Sequence, residues 1–270
     1  MGKIRLDVFL HEKGYFPSRE KAKAAIMAGE VFIQGKRIDK AGTAVEEDTC
    51  EVEIFFAQTK YVGRGGYKLE KALQVFDFDA ADKVFLDIGA STGGFTDCLL
   101  QQGAKKVYAI DVGYGQLDYA LRIDERVVPV EKTNFRYLKY DTIGEKADGF
   151  VMDVSFISVL KLTENLKQFL KQGAEGIFLI KPQFEATRAQ IEKKGIIKEK
   201  NTHISVLTAV IGALEESGWH VKEITHSPIA GAKGNIEFLL HVAYPFASQK
   251  SDVDKEKILQ TVNAAHEENK

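Results

Sequence analysis

The 270-residue chain contains two cysteines, five prolines, three methionines and one tryptophan, and what is scarce narrows what it can be. Cys50 and Cys98 lie in separate predicted regions without metal-type spacing, and the histidines form no H-x-x-x-H set. No structural metal and no disulfide are expected. No apolar run approaches the roughly 18 residues that cross a bilayer, and the N-terminus lacks the basic-then-apolar pattern of a secretory signal. The expectation is a cytoplasmic protein with no membrane partner. A net excess of either charge is also nearly absent: 37 Lys and Arg stand against 39 Asp and Glu, a net charge of −2, so any nucleic-acid signal has to come from local patterning. What remains, 44% hydrophobic and 28% charged residues, is globular composition at a length that fits one ordinary domain plus a small one. There is no internal repeat.

The most informative stretch is Val84-Phe85-Leu86-Asp87-Ile88-Gly89-Ala90-Ser91-Thr92-Gly93-Gly94-Phe95. An apolar run ends in a carboxylate and then in a turn whose three glycines let backbone approach a ligand closely. The next apolar run ends at Asp111, 24 residues after Asp87, about where a parallel α/β unit places an acid that accepts ribose hydroxyls. A dinucleotide pyrophosphate favours G-x-G-x-x-G, whereas here the spacing is Gly89-x-x-x-Gly93-Gly94 and a carboxylate enters the turn. That carboxylate would repel pyrophosphate but suits the cationic groups of S-adenosylmethionine (SAM), which is therefore the expected cofactor. Gly89-Ala90-Ser91-Thr92-Gly93 also matches the G-x-S-x-G nucleophile elbow of hydrolases. The elbow normally follows several strands, however, and only about twenty residues of this domain precede Asp87.

Upstream, residues 1–40 carry nine Lys/Arg against five Asp/Glu, and residues 41–60 carry one against five. Leu6, Phe9 and Leu10 have helical spacing, and Pro17-Ser18 opens a second helix whose apolar face is read as Ala22, Ala25, Ile26 and Met27. Val31, Ile33 and Gly35 to Ile38 read as a short hairpin, and Cys50 to Phe55 as a strand. Arg5-Leu6-Asp7, Ser18-Arg19, Ala25, Ile26, Gly29, Val31, Ile33, Gly35 and Lys36 together resemble the S4 RNA-binding domain. Within that frame Arg5, Arg19, Lys21, Lys23 and Lys36 form the expected cationic surface for RNA phosphates. Gly63-Arg64-Gly65-Gly66 reads as a flexible basic turn, which sets the expected boundaries: an S4-like domain over 1–58, a linker over 59–66, a catalytic domain over 67–247 and a charged tail over 248–270. The tail reads as a surface helix or as disordered.

Strands are expected near 84–88, 107–111, 127–130, 148–153, 176–181, 220–225 and 235–243, with helices near 68–76, 94–102, 115–121, 158–171 and 201–217. The fold class is thus α/β, a doubly wound Rossmann-like sheet preceded by a small α+β domain, with an antiparallel strand formed at the C-terminal hairpin through Gly231-Ala232-Lys233-Gly234. Four charged residues sit where this topology gathers them: Lys68, Asp153, Lys181 and Glu237. Asp153 and Lys181 each end an apolar strand, and strand carboxyl ends face the ligand crevice.

These four fit the K-D-K-E tetrad of ribose 2′-O-methyltransferases of the FtsJ/RrmJ-like superfamily. With the S4-like segment, the chain from about residue 3 to 245 resembles the TlyA family, also called hemolysin A-like, most specifically in Leu179-Ile180-Lys181-Pro182-Gln183-Phe184-Glu185 and in Ser227 to Glu237. The resemblance implies methylation of a cytidine 2′-hydroxyl in ribosomal RNA, with Lys68, Asp153, Lys181 and Glu237 as catalytic residues. It implies a cofactor site made of Asp87, Gly89, Ala90, Ser91, Thr92, Gly93, Gly94, Phe95, Asp111 and Asn134. A lysine of ordinary pKa near 10.4 is no base at neutral pH. A neighbouring ammonium, for which Lys68 is the candidate, and desolvation would favour the neutral form of Lys181. The segment between Glu185 and His203, with Arg188, Lys193, Lys194, Lys198 and Lys200, reads either as an RNA clamp or as a solvated connector, and Phe156 either as a stacking surface for the target base or as core. The alternatives to an enzyme are a non-catalytic ribosomal-RNA-binding adaptor and a membrane-lytic hemolysin. Ribosomal RNA or a ribosomal subunit is the expected partner, and no oligomeric state follows from the sequence.

Overall fold

The computed structural model describes residues 3–16, 18–28, 31–46, 52–54, 60–191, 195–231, 234–244 and 250–268, and it divides into two units, Met1–Lys60 and Tyr61–Lys270. Pro17, Gly29, Cys50, Lys193, Lys194, Ala232 and Lys233, singled out above, lie outside the described residues.

The first unit runs β1 (Lys3–Arg5), α1 (Leu6–Glu12), α2 (Arg19–Ala28), β2 (Val31–Ile33), β3 (Lys36–Arg37), β4 (Ala44–Glu46) and β5 (Val52–Ile54). β1 pairs with β4, and β3-β2-β5 form a second sheet, all antiparallel. The β2–β3 hairpin turns on Gln34 and Gly35, with φ of 51° and 72°, the left-handed pair that a two-residue hairpin loop needs. Leu6, Phe9, Leu10, Ala22, Ala25 and Ile26 are buried in one cluster. Met27 is not among them and is 64% exposed, because it lies five residues from Ala22 and so well round the helix from the Ala22–Ile26 stripe.

The second unit continues with α3 (Gly65–Val75), β6 (Val84–Ile88), α4 (Gly94–Gln101), β7 (Lys106–Ile110), α5 (Tyr119–Arg122), β8 (Val127–Val130), α6 (Tyr140–Ile143), β9 (Ala147–Met152), α7 (Thr163–Leu166), β10 (Leu170–Ile180), α8 (Pro182–Glu185), α9 (Lys200–Glu216), β11 (His220–His226), β12 (Phe238–Tyr244) and α10 (Lys255–Glu268). Seven strands form one sheet in the order β11-β12-β10-β9-β6-β7-β8, with β12 alone antiparallel to its neighbours. The order reverses between β6 and β9, the place where an open α/β sheet leaves a ligand crevice. Alternate residues face opposite sides: Val84, Leu86 and Ile88 join the cluster under α9 and α10, and Phe85 joins the cluster under α3 and α4. At the β8 edge the carbonyls of Arg126 and Val130 accept the amides of Val107 and Asp111, at 2.8 and 3.1 Å, so the even-numbered residues of β8 turn their hydrogen-bonding groups toward β7.

Four details depart from expectation. The 158–171 stretch is no single helix: its apolar spacing is helical, but Ser158 caps Leu160, Asn165 donates to the carbonyls of Phe135 and Leu138 at 2.6 and 3.2 Å, and β10 has begun by Leu170. Such local side-chain bonds compete with a continuous helix. The helix expected over 115–121 is only Tyr119–Arg122, started by the Asp118 cap. The glycines near residue 65 serve close packing rather than flexibility, since a Cβ on Gly66 would collide with the buried Tyr61 ring, and the Val62 amide donates to Asp97 at 2.8 Å. The charged tail contains a helix whose Ile258, Val262 and Ala265 are buried in the core, because their spacing of four and three residues makes one apolar stripe.

Candidate active site

The residues that follow β6, β7, β9 and β10 enclose two adjoining chambers of about 610 and about 520 Å3, which share Gly89, Ser91, Asp153, Ser155 and Phe156. The floor is the glycine turn. Gly89 has φ +87°, and a Cβ there would strike the carbonyl of Asp153, so glycine at this position lets β6 and β9 meet closely at the crevice. The amides of Gly89 and Ala90 both donate to the Ile110 carbonyl, at 2.9 and 3.1 Å. Asp111 completes the turn by accepting the Ser91 amide at 2.8 Å through Oδ2 and the Gly113 amide at 2.6 Å through Oδ1. It lines the smaller chamber with Thr133 and Asn134, among apolar walls that include Ile88, Ile110, Phe135 and Leu162. Asn134 also caps the turn that follows it, accepting the Arg136 amide.

Two residues expected at the cofactor site stand differently from their sequence reading. Asp87 is fully buried and lines neither chamber; it shares strand parity with Phe85 and accepts the Thr96 hydroxyl at 2.6 Å beneath α4. Burial pushes its carboxyl up to about 7, against the Thr96 hydrogen bond, and the nearby Asp153 and Asp111 add to the rise. It can act on a cationic ligand only through its field. Gly93 has φ +95°, and a Cβ there would run into Leu117 and Leu121 rather than into the crevice. Ala90, Ser91, Thr92, Gly94 and Phe95 do line the larger chamber.

Lys68, Asp153, Lys181 and Glu237 all line the larger chamber, as two ion pairs. Lys68 lies on the buried face of α3 one turn before Ala72, and its Nζ is 2.5 Å from Glu237 Oε2; the two residues are 8% and 2% exposed. Lys68 therefore meets its own carboxylate rather than standing as a bare ammonium for Lys181. Lys181, just past β10, places Nζ 2.7 Å from Asp153 Oδ1, just past β9. Its Nζ also donates to Ser155 Oγ at 2.7 Å.

Several residues here lie in stretches that the sequence reading quoted without giving them a role. Ser155 is one. Asn235 is another: its Oδ1 accepts the Ile197 amide at 3.0 Å and its Nδ2 donates to the Gly195 carbonyl at 3.1 Å, which pins the segment after α8 beside Glu237. Glu185 accepts the Ser158 hydroxyl at 2.5 Å and the Val159 amide at 2.9 Å, so it ties α8 to the chain after β9; burial raises its pKa despite those bonds. Buried amides and carboxylates spent on backbone carry no sequence signature of their own. Phe156 is 90% exposed at the mouth, with φ +65° and its ring 5.2 Å from that of Phe184, so the core reading of Phe156 is excluded. Arg188 and Lys198 are exposed, and Lys200 donates to Asn263.

In the first unit, the Arg5 and Arg19 side chains both bind the buried Asp7, with Nε contacts of 3.0 and 2.9 Å. Burial raises the Asp7 carboxyl, but the two guanidinium hydrogen bonds outweigh it and leave the pKa lowered. Lys21, Lys23 and Lys36 are exposed. Among the described residues no cluster of three or more His, Cys, Asp or Glu side chains could hold a metal, and no helix is long and apolar enough to cross a membrane.

The two chambers suit SAM: an apolar slot with Asp111 and Asn134 for a nucleoside, opening past the glycine turn onto the lysine–carboxylate pairs. Comparison with known proteins agrees. Residues 61–244 match the FtsJ-like methyltransferase family and residues 4–49 match the S4 domain. Hemolysin A of Brachyspira hyodysenteriae is 44% identical, over 88% of this chain and 99% of that one. The 16S/23S rRNA (cytidine-2′-O)-methyltransferase TlyA of Mycobacterium tuberculosis is 39% identical, over 88% of this chain and 89% of its own. A solved structure described as a hemolysin, from Streptococcus thermophilus, superposes with a TM-score of 0.79 at 44% identity, covering 99% of this chain and 97% of that one. The chain belongs to the FtsJ-like methyltransferase family, with an S4 domain ahead of the SAM-dependent catalytic unit.

Proposed function

We propose that this enzyme transfers a methyl group from SAM to a ribose 2′-hydroxyl of ribosomal RNA, with cytidine as the target nucleotide. The observation that carries the reading is the convergence of two lysine–carboxylate pairs, Lys68–Glu237 and Lys181–Asp153, on the chamber floored by the glycine turn. When bound, SAM supplies a methyl already activated by its sulfonium and a neutral leaving group. What remains for the protein is to orient a weak nucleophile and accept its proton. Lys181 stands as the base. Asp153 holds the Lys181 side chain, and the Lys68–Glu237 pair lines the same chamber and helps to place the ribose; well-oriented systems gain up to roughly 7–11 kcal/mol from such positioning. Phe156, exposed at the mouth, offers a stacking face for the target base. The choice of cytidine and of ribosomal RNA follows the name of the mycobacterial relative.

The S4 domain, taken as 1–58, docks the RNA, and the unit from Tyr61 onward performs the chemistry. Lys21, Lys23 and Lys36 meet phosphates directly, and Arg5 and Arg19 do so through the edges not spent on Asp7. Such an enzyme works in the cytoplasm, where ribosomal RNA is. Both lysine–carboxylate pairs are intact, which favours an enzyme over a non-catalytic adaptor. Incubating the protein with methyl-labelled SAM and separated ribosomal subunits, then mapping ribose methylation, tests the reading. A new 2′-O-methylcytidine is the expected product; label on a base, or no label, refutes it.

A further inference from the structure

Lys181 has two neighbours at the same distance, and they do different things. Asp153 Oδ1 lies 2.7 Å from Nζ, close enough for charge, yet it is out of line for a hydrogen bond and makes none among the described residues. The aligned hydrogen bond of the amine, also 2.7 Å, runs to Ser155 Oγ. The carboxylate therefore sets how near the nitrogen sits, and the hydroxyl sets which way it points. Ser155 borders both chambers, so the amine it aims stands where the cofactor slot meets the ion-paired chamber. The turn that presents it carries Phe156 at φ +65°, a conformation that a bulky side chain keeps only where its surroundings over-determine it.

We propose that Ser155 is a positioning residue for methyl transfer, whose hydroxyl aims the Lys181 amine at the ribose 2′-hydroxyl. The proposal rests on the 2′-O-methyl-transfer reading above. Its physical basis is that the two neighbours respond differently to the lysine proton. A carboxylate attracts the ammonium strongly and the neutral amine weakly, so Asp153 grips Lys181 least when it is ready to act as base. A hydroxyl oxygen accepts an N–H from either form. The neutral amine has two N–H bonds and one lone pair; with one N–H fixed on Ser155, the lone pair is confined to directions that include the open chamber. As the 2′-oxygen bonds to the methyl carbon and the carbon–sulfur bond breaks with its pair left on sulfur, the hydroxyl proton passes to that lone pair. One positive charge leaves the sulfonium and one appears on Lys181, so the step balances.

The test compares Ser155→Ala and Ser155→Thr with the parent full-length protein, in single-turnover methyl transfer to ribosomal subunits at saturating SAM and RNA, with SAM affinity measured by calorimetry and RNA affinity by filter binding. Ser155→Ala is expected to slow the saturated rate about tenfold or more, part of the roughly 10²–10⁴ that a positioned acid–base group contributes, while both affinities stay within twofold of the parent. Ser155→Thr, which keeps the hydroxyl, is expected to restore the rate. An unchanged rate in Ser155→Ala, a loss that appears only as weaker SAM or RNA binding, or no rescue by threonine overturns the proposal. The parent separates the two levels of inference: if it makes no 2′-O-methyl product, the 2′-O reading fails and Ser155 with it, whereas an active parent with an equally active Ser155→Ala defeats the Ser155 role alone.

Discussion

At the scale of single residues, the site rests on two lysines that each meet a carboxylate. Lys181→Ala should fold and bind SAM and RNA, yet transfer methyl slower by roughly 10²–10⁴. Lys181→Arg should be no better, since a guanidinium stays protonated. Single-turnover kinetics checks both, and near-normal transfer by the arginine variant would show that position 181 supplies only positive charge. Asp87 makes a separate prediction through stability. Its folded pKa is raised from 3.8 to about 7, so between those values the folded state holds a proton that the unfolded state has lost. This group's contribution to stability therefore falls as pH rises through that window. Asp87→Asn removes the titration while keeping an oxygen to accept from Thr96. The melting temperature of the variant relative to the parent should be higher at pH 8 than at pH 5, and a pH-independent difference would show that Asp87 titrates normally.

At the scale of elements, α10 and α2 are where sequence and structure differ most usefully. Ile258 is 2% exposed, so Ile258→Ala should cost about 2–5 kcal/mol by chemical denaturation, as buried isoleucine truncations do. A loss within about 0.5 kcal/mol would return α10 to the solvent-facing tail that its charge suggests. On α2, reversing Arg19 would place a carboxylate against the buried Asp7 and so confuse folding with binding. The cleaner probe is Lys21→Glu with Lys23→Glu, both on exposed positions. The double variant should keep its melting temperature, bind ribosomal RNA more weakly, and lose about two units of the slope of log affinity against log salt, one for each phosphate contact removed. An unchanged slope would take these lysines out of the interface.

At the scale of the whole molecule, the order of the layers was legible because the apolar runs alternate with helical stretches and each of the four tetrad residues follows or faces a strand end. All seven strands of the large sheet lie where the runs place them, to within a few residues except that β10 begins six residues early. What escaped the sequence has physical reasons. Asp87 looks like a ligand residue until the period of two along β6 sends it to the inner face, and glycines that permit packing against Tyr61 look like glycines that permit bending. Ser155 was hidden because serine in a turn is ordinary and only its distance to Lys181 distinguishes it. One further feature bears on how copies of the protein behave toward each other. β8 is the outermost strand of its side of the sheet, and since Arg126 and Val130 spend their carbonyls on β7, the odd-numbered positions turn their backbone groups outward, where the Val127 amide is already taken by the Asp124 carbonyl at 2.9 Å. Pro129 occupies one of them and has no N–H to offer. An unguarded edge is a template for another chain's strand. Pro129→Val should accordingly convert a stable solution into one that forms larger species as concentration rises, visible by light scattering; scattering identical to the parent would mean that the edge is guarded by something other than the missing donor.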